Sequence, residues 1–400
     1  MTINFSNKKA LVRVDFNVPL NQDFQITDDT RIQAALPTIR KILEDGGAAI
    51  LMSHLGRPLK KLNEDGSVNR QKFTLNHLTD HLAKLLNTKV HFCPETIGDS
   101  ASAMADTLPM GEVLLLENTR FNEGEKKGSE AFAQALAQLA DVYVNDAFGT
   151  AHRAHASTTT VARFFAPGQK TFGYLMDREI TNANRVLKNP ERPLTAIIGG
   201  AKVSDKILLL EKLLDFADNV IVGGGMAYTF LKAQGGEIGN SLVEDDRLEL
   251  ARELIEKAKK NKTSLLLPED SLLADQFSNE ANIQTKKSKN IPNGWMGLDI
   301  GQTAIADFSK VIKKSKTILW NGPMGVFEMT NFANGTKSIA IAVAEATKEG
   351  AFSLVGGGDS VAAVTQMELN DDVSFVSTGG GAMLEFLEGK ELPAIAAMKA

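Results

Sequence analysis

Cysteine occurs once in the 400 residues, at Cys93, so no disulfide can close within the chain, and a reducing compartment fits that usage. A lone cysteine of this kind reads as a small buried hydrophobe rather than a redox centre. No uncharged apolar run reaches the roughly 18 residues of a membrane helix, and residues 1–9 lack the apolar core of a secretion signal, so a cytoplasmic protein is expected. Basic charge is not in excess either. Lys and Arg total 44 against 49 Asp and Glu, a formal net charge of −5, which argues against a nucleic-acid footprint. A Walker pattern is missing, which excludes a P-loop. The glycine-rich segments do not complete G-x-G-x-x-G, because Tyr228, Val361 and Leu384 occupy the third position of the three triplets; a dinucleotide-dependent dehydrogenase is thereby disfavoured.

What the chain does have is a repeated pattern in its second half. An apolar run, then a glycine doublet or triplet, then a helix-like stretch recurs at 197–202, 221–227, 354–360 and 376–382. Each reads as a buried parallel strand, a loop that lets a ligand approach the backbone, and a helix whose first N–H groups have no partner. That combination binds anions. Ligands in open α/β sheets lie beyond the carboxyl ends of the strands, so four such loops suggest one crevice, and a nucleotide is the working reading. Four hundred residues exceed one ordinary core, which sets the expectation at two domains or three.

The first half alternates strands and helices too, with arginine in place of glycine at the turns. In residues 9–19, Val12, Val14 and Phe16 fall on one side of a strand and Arg13, Asp15 and Asn17 on the other. Asp28 or Asp29 would cap a helix running to Leu43, with Arg31 in its first turn. A cation there opposes the helix dipole and makes more sense beside an anion. Residues 48–52 lead into Ser53-His54-Leu55-Gly56-Arg57-Pro58, residues 113–116 into Glu117-Asn118-Thr119-Arg120-Phe121, and residues 142–144 into a loop holding His152, Arg153 and His155. Only Arg247 and Arg252 lie beyond residue 192, whereas Arg13, Arg31, Arg57, Arg120 and Arg153 sit at strand or helix ends. Arginine forks suit phosphate and carboxylate oxygens, and the histidines show no metal-ligand spacing. Residues 174–188 read as a connecting helix stopped by Asn189-Pro190-Glu191-Arg192-Pro193.

Beyond that connector, Lys202 and Lys206 would stand one helical turn apart near a helix start, which bound phosphate would explain. Asp359 reads as an N-cap, as a ligand of Mg²⁺ beside a polyphosphate, or as both. In Trp320-Asn321-Gly322-Pro323-Met324-Gly325-Val326-Phe327-Glu328, the carboxylate of Glu328 suits ribose hydroxyls.

Arg13-Val14-Asp15-Phe16-Asn17-Val18-Pro19, Ser53 to Pro58, Asp146 to His155, Gly199-Gly200-Ala201-Lys202-Val203, Trp320 to Glu328, Gly356 to Ser360 and Ser377 to Gly381 together resemble the phosphoglycerate kinases, in the family's order and over nearly the whole chain. Thr119 departs from the family where an apolar residue is expected. The resemblance implies an α/β fold of two doubly wound, Rossmann-like parallel-sheet domains joined by a hinge helix: 1–171 for 3-phosphoglycerate, with the tail 393–400 packing back on it, 172–193 as connector, and 194–392 for nucleotide. It implies transfer between ATP and the carboxylate of 3-phosphoglycerate, giving ADP and 1,3-bisphosphoglycerate, with Mg²⁺, in a monomer. Asp15, Asn17, Arg31, His54, Leu55, Gly56, Arg57, Arg120 and Arg153 would hold the substrate. Arg31, Lys202, Gly380 and Gly381 would serve the transferring group. Lys206, Asn321, Glu328, Gly357, Gly358, Asp359 and Ser360 would hold the nucleotide, with Asp359 on the metal. A carboxylate nucleophile is already ionised at pH 7 and needs no general base. The labile acyl phosphate product implies water exclusion by closure about 172–193. The competing reading is a non-catalytic nucleotide-binding protein, which leaves the arginines unexplained.

Overall fold

The computed structural model describes residues 1 and 3–399. The chain divides into two compact units, Met1–Ile180 with Glu391–Ala400, and Thr181–Lys390. The division falls inside the helix Tyr174–Leu187.

In the first unit, β1 (Lys9–Val14), β2 (Ala48–Met52), β3 (Val90–Cys93), β4 (Val113–Leu116), β5 (Val142–Asp146) and β6 (Lys170–Phe172) form a parallel sheet in the order β3-β4-β2-β1-β5-β6. Parallel crossovers put helices on both faces, so a central strand is buried on both. Val12, Val14 and Phe16 pack on Ile32, Leu36 and Ile39 of the helix Thr30–Glu44, while Leu11 faces the opposite layer with Tyr143, Phe132 and Leu136. This corrects the expectation of a polar strand face. Arg13 is buried inside the sheet at 1% exposure, and Asp15 and Asn17 lie past the strand's end. Asp29 does stand at the N-cap position, but its carboxylate turns to Gln33 and His81 instead of the helix N–H groups. Within this unit the helix Pro393–Lys399 is tied down by Lys170 Nζ on Ala397 O (3.1 Å) and by Ala394 N on Ala151 O (3.1 Å). Cys93 is buried, as its composition suggested.

The second unit has β7 (Leu194–Ile198), β8 (Asn219–Val222), β9 (Glu237–Ile238), β10 (Ser264–Leu266), β11 (Asp270–Ala274), β12 (Ile283–Lys287), β13 (Asn290–Ile291), β14 (Met296–Ile300), β15 (Thr317–Asn321), β16 (Phe352–Gly356) and β17 (Phe375–Val376). Six of them make a parallel sheet, β10-β8-β7-β15-β16-β17. Its core joins Ile197, Ile221, Trp320 and Val355 to Phe308 and Ile339 of the helices Gln302–Ile312 and Asn334–Lys348. A small antiparallel sheet, β12-β11-β14, and the pair β13-β9 are added to the doubly wound plan; the sequence reading had not separated them. Among the described residues no helix is long and apolar enough to cross a membrane.

The antiparallel addition caps its neighbours. The helices Gln302–Ile312 and Asn334–Lys348 have no side-chain cap at their own N-cap residues. Asp270 accepts from Thr303 N (3.1 Å) and Ala304 N (2.8 Å), and Asp299 accepts from Gly335 N (2.7 Å) and Ile300 N (2.9 Å). Each carboxylate thus meets the positive end of a helix. Burial nevertheless pushes the Asp299 carboxyl up to about 7, against those two N–H bonds.

From an unfolded value near 3.8 to a folded value of about 7, the native unit holds this proton and the unfolded chain does not. Stability therefore falls as pH rises through that window, by up to about 1.4 kcal/mol per pH unit, and is flat above it. Both tryptophans, Trp295 and Trp320, lie in this unit, so their fluorescence in denaturant reports on it. The stability deficit of Asp299→Asn is expected to be largest near pH 4 and to shrink toward pH 7; a deficit that does not change with pH would assign the titration to another group.

Candidate functional site

At the carboxyl ends of the first sheet, loops from four strands bring their polar groups together. Asp15 follows β1 and accepts from Arg31 Nη1 at 2.8 Å, placing Arg31 at the mouth of the first helical turn. His54, after β2, is 3% exposed, with Nδ1 3.2 Å from Arg13 Nη2 and 3.8 Å from Asp15 Oδ1. Gly56 donates from N to Asn17 Oδ1 (2.8 Å) and accepts at O from Arg120 Nη1 (2.6 Å). Its φ of +61° and a Cβ direction 2.5 Å from the Phe73 ring leave room only for glycine. Leu55 O is held by Asn118 Nδ2 at 2.8 Å. Arg153, half-buried after β5, bonds His152 at 3.1 Å, while Arg57 is exposed at the rim.

Electrostatics shows that these cations share one field. Burial holds His54 well below its ordinary value, and Arg13, Arg120, Arg153 and Arg31 push it the same way. His155 is pushed down to about 4 by burial, then by Arg120, Arg13, Arg153 and Lys126. Arg120 falls to about 10, through burial and then Arg153 and Arg13, and stays charged at neutral pH. Its buried Nε has no hydrogen-bond partner among the described residues. Neutral histidines and convergent guanidinium groups, one of them under-partnered at Arg120, make a seat for a small polyanion.

In the second unit, the loops after β7, β8, β15, β16 and β17 carry the glycines. The chain leaves β7 for β8 on one side and reaches β15 on the other, so β7 and β15 flank the switch point of the sheet, where such folds take ligands. The glycines divide into two kinds. A Cβ on Gly199 would meet Pro323 O at 1.9 Å, one on Gly322 would meet Gly199 O at 2.1 Å, and one on Gly224 would meet Gly200 O at 2.6 Å. These pack loop against loop. Gly200, Gly358 and Gly380 face open space, which is where a ligand can approach the backbone.

Several sequence expectations need correction here. Residues 201–206 are not helical, so Lys202 and Lys206 are not one turn apart on a helix face. Lys202 is exposed on the loop. Lys206 is the N-cap residue of Ile207–Leu213, and its Nζ donates to Asn321 Oδ1, leaving the buried Asn321 Nδ2 without a partner among the described residues. Burial lowers the Lys206 pKa, opposed by Asp359, Asp205 and Glu388. Asp359 is not the N-cap of Gly358–Gln366; Gly357 holds that position with φ +89°, and the Asp359 carboxylate is exposed in the first turn. Ser360 is buried and accepts from Gly322 N at 2.5 Å. Gly380 and Gly381 open the helix Gly381–Leu387 at the end of β17.

A cavity of about 460 Å³ opens beside these loops, bounded by Gly200, Gly224, Glu328 and Asp359, with Tyr228, Leu242, Phe277, Met296, Leu298 and Val326 as apolar wall. That volume fits a small-molecule ligand site. The apolar wall has no local sequence pattern because it is assembled from scattered segments: the helix after β8, the loops after β9, β11 and β15, and β14. Two of its members, Phe277 at 62% and Leu242 at 47%, are among the exposed large hydrophobic side chains. Lys206, Asn321, Gly357, Gly358 and Ser360 lie at the end of β15 and at the starts of the helices after β7 and β16, and do not form that wall.

Residues 1–390 match the phosphoglycerate kinase family. A phosphoglycerate kinase of Porphyromonas gingivalis is 52% identical over 419 residues, covering 99% of this chain and 98% of that protein. One from Chloroherpeton thalassium is 52% identical, covering 99% and 97%. The structure of the Coxiella burnetii phosphoglycerate kinase covers 100% of this chain and 97% of that one, with TM-score 0.89 and 42% identity. With its two six-stranded parallel sheets, its arginine loops on the first and its glycine loops on the second, the chain belongs to the phosphoglycerate kinase family.

Proposed function

We propose that the chain transfers a phosphoryl group reversibly between ATP and the carboxylate of 3-phospho-D-glycerate, giving ADP and 1,3-bisphosphoglycerate. The observation that carries this reading is the division of labour between units: convergent arginines with neutral histidines in one, and open glycine loops beside an apolar cavity in the other. A non-catalytic nucleotide-binding protein would have no use for the arginine cluster.

The acceptor oxygen belongs to an ionised carboxylate, so no side chain has to remove a proton. Catalysis is then positioning and charge stabilisation of a loose, in-line transition state. Asp15, Asn17, His54, Arg57, Arg120 and Arg153, with the Leu55-Gly56 backbone, seat 3-phosphoglycerate. Arg31, tethered by Asp15, reaches toward the transferring group. In the second unit the base enters the apolar cavity, Glu328 takes the ribose hydroxyls, and the backbone at Gly357 and Gly358 with Lys206, Asn321 and Ser360 takes the phosphates. Lys202 and the helix start at Gly380-Gly381 complete the charge around the moving phosphoryl. The exposed Asp359 carboxylate on the cavity boundary fits Mg²⁺, which binds through one or two carboxylates plus phosphate oxygens. Bound there, Mg²⁺ would neutralise phosphate charge. Closure of the units about residues 172–193 would exclude water from the acyl phosphate. A monomeric cytoplasmic enzyme is part of the same reading.

ADP formation from ATP should require both 3-phosphoglycerate and Mg²⁺ and stop on chelation. Arg31→Ala should lower kcat about a hundredfold or more with nucleotide binding kept, and Lys206→Ala should lower turnover through the nucleotide site. A folded protein that binds ATP without turnover would replace the kinase reading with the binding-protein one.

The two classes of glycine separate stability from binding. Gly199→Ala forces the 199 and 323 loops apart and should destabilise the second unit. Gly358→Ala should leave its unfolding midpoint unchanged or slightly raised while weakening ADP binding measured by calorimetry; unaltered affinity would remove residue 358 from the phosphate path. Solution scattering should show compaction only when both ligands are bound, and equal radii of gyration with and without them would count against closure.

A further inference from the structure

The buried side chains beneath the first site form one connected chain. Arg13 Nε donates to Ser157 Oγ at 2.9 Å, and Ser157 in turn donates from Oγ to Glu125 Oε1 at 2.6 Å and from N to Glu125 Oε2 at 3.0 Å. Glu125 is wholly buried. Arg13 Nη2 lies 3.2 Å from His54 Nδ1. None of these buried contacts was assigned a role by the substrate-binding pattern.

An arginine can only donate, and it keeps its protons throughout the accessible pH range. The ring nitrogen facing it must therefore carry a lone pair. The competing geometry, a protonated Nδ1 bonded to Asp15, has its partner at 3.8 Å, beyond hydrogen-bond reach, and Asp15 already accepts from Arg31 at 2.8 Å. With Nδ1 an acceptor in a neutral ring, the proton sits on Nε2, which no group hydrogen-bonds among the described residues.

We propose that Arg13 is a positioning residue that fixes His54 as its neutral Nε2–H tautomer, so that the imidazole offers 3-phosphoglycerate an uncharged donor and the positive charge of the site is carried by arginine alone. This rests on the reading of the first unit as the 3-phosphoglycerate site. The groups that face His54 agree with it: Arg13 from β1, Arg31 from the helix Thr30–Glu44, Arg120 from the loop after β4 and Arg153 from the loop after β5 all disfavour a charged ring, against Asp15 alone. Glu125, reached through Ser157, balances the buried Arg13 so that its fork cannot turn away. The consequence is substrate affinity that does not follow a histidine titration.

The test is nitrogen NMR of the full-length protein with labelled histidine, with His54 assigned by the peak missing in His54→Gln. Wild type is expected to show Nδ1 as an unprotonated nitrogen and Nε2 as N–H, unchanged from about pH 6 to 8, with 3-phosphoglycerate shifting Nε2 more than Nδ1. A doubly protonated ring, an Nδ1–H tautomer, or titration within that range overturns the proposal without any variant having to fold. Arg13→Lys keeps the charge but cannot bond Ser157 and His54 in the same fork. It should raise KM for 3-phosphoglycerate about tenfold, change kcat less, and bring a pH dependence into KM; unaltered KM and profile overturn the positioning role. Turnover of 3-phosphoglycerate with no shift at Nε2 overturns the donor role alone. Loss of that turnover in wild type overturns the site reading on which the proposal stands.

Discussion

Arginines gathered at one end of a parallel sheet repel each other, and the first unit is built to hold them against that repulsion. Two buried carboxylates do the tethering. Asp15 takes Arg31 directly, and Glu125 balances Arg13 through Ser157. Burial and the same field keep His54 and His155 neutral, which limits the charge the site must accommodate. What is left over, such as the unpartnered Nε of Arg120, is the binding capacity offered to an anion. Removing a buried partner here would leave an uncompensated charge, so the supporting residues are as constrained as the ligands.

The second unit solves a different problem. It must keep backbone at loop turns open to approach, and it does so with loops locked to each other. Gly199 and Gly322 interdigitate so closely that neither can carry a Cβ, and that interlock joins the loops after β7 and β15 at the switch point of the sheet. With those two loops fixed, Gly358 and Gly380 face open space on adjoining loops. The antiparallel addition then contributes part of the cavity's apolar wall, through Met296 and Leu298, and the carboxylates Asp270 and Asp299 that cap two helices of the main layer.

Phosphoryl transfer to a carboxylate asks for little covalent help. The contrast between units fits that: one gathers cations beside neutral histidines, and the other has open glycine loops and an apolar cavity. The chemistry depends on where charge is placed and on keeping water out.

Much of this could be read along the chain. Strand-loop-helix repetition determined two doubly wound sheets, and the loop motifs named Arg31, His54, Arg120, Asn321 and Asp359, because such residues must sit where strands end. Local reading failed where a residue's role depends on distant partners. Arg13 looked like one of three polar groups on one strand face, but a strand flanked by parallel neighbours is buried on both sides, which turned it into an internal prop for His54. Lys202 and Lys206 looked helical, yet the helix starts only at Ile207. The glycines of one sequence class divided into interlocking and open positions only once two loops met across the sheet. The cavity wall of Leu242, Phe277 and Leu298 had no motif at all, since hydrophobic contact depends on area brought together in space and leaves no spacing in the sequence. The sequence by itself determined the sheets and the polar loops; tertiary structure decided which of their residues stay open to solvent and which are buried to hold the others in place, because only packing sets burial, and burial sets charge.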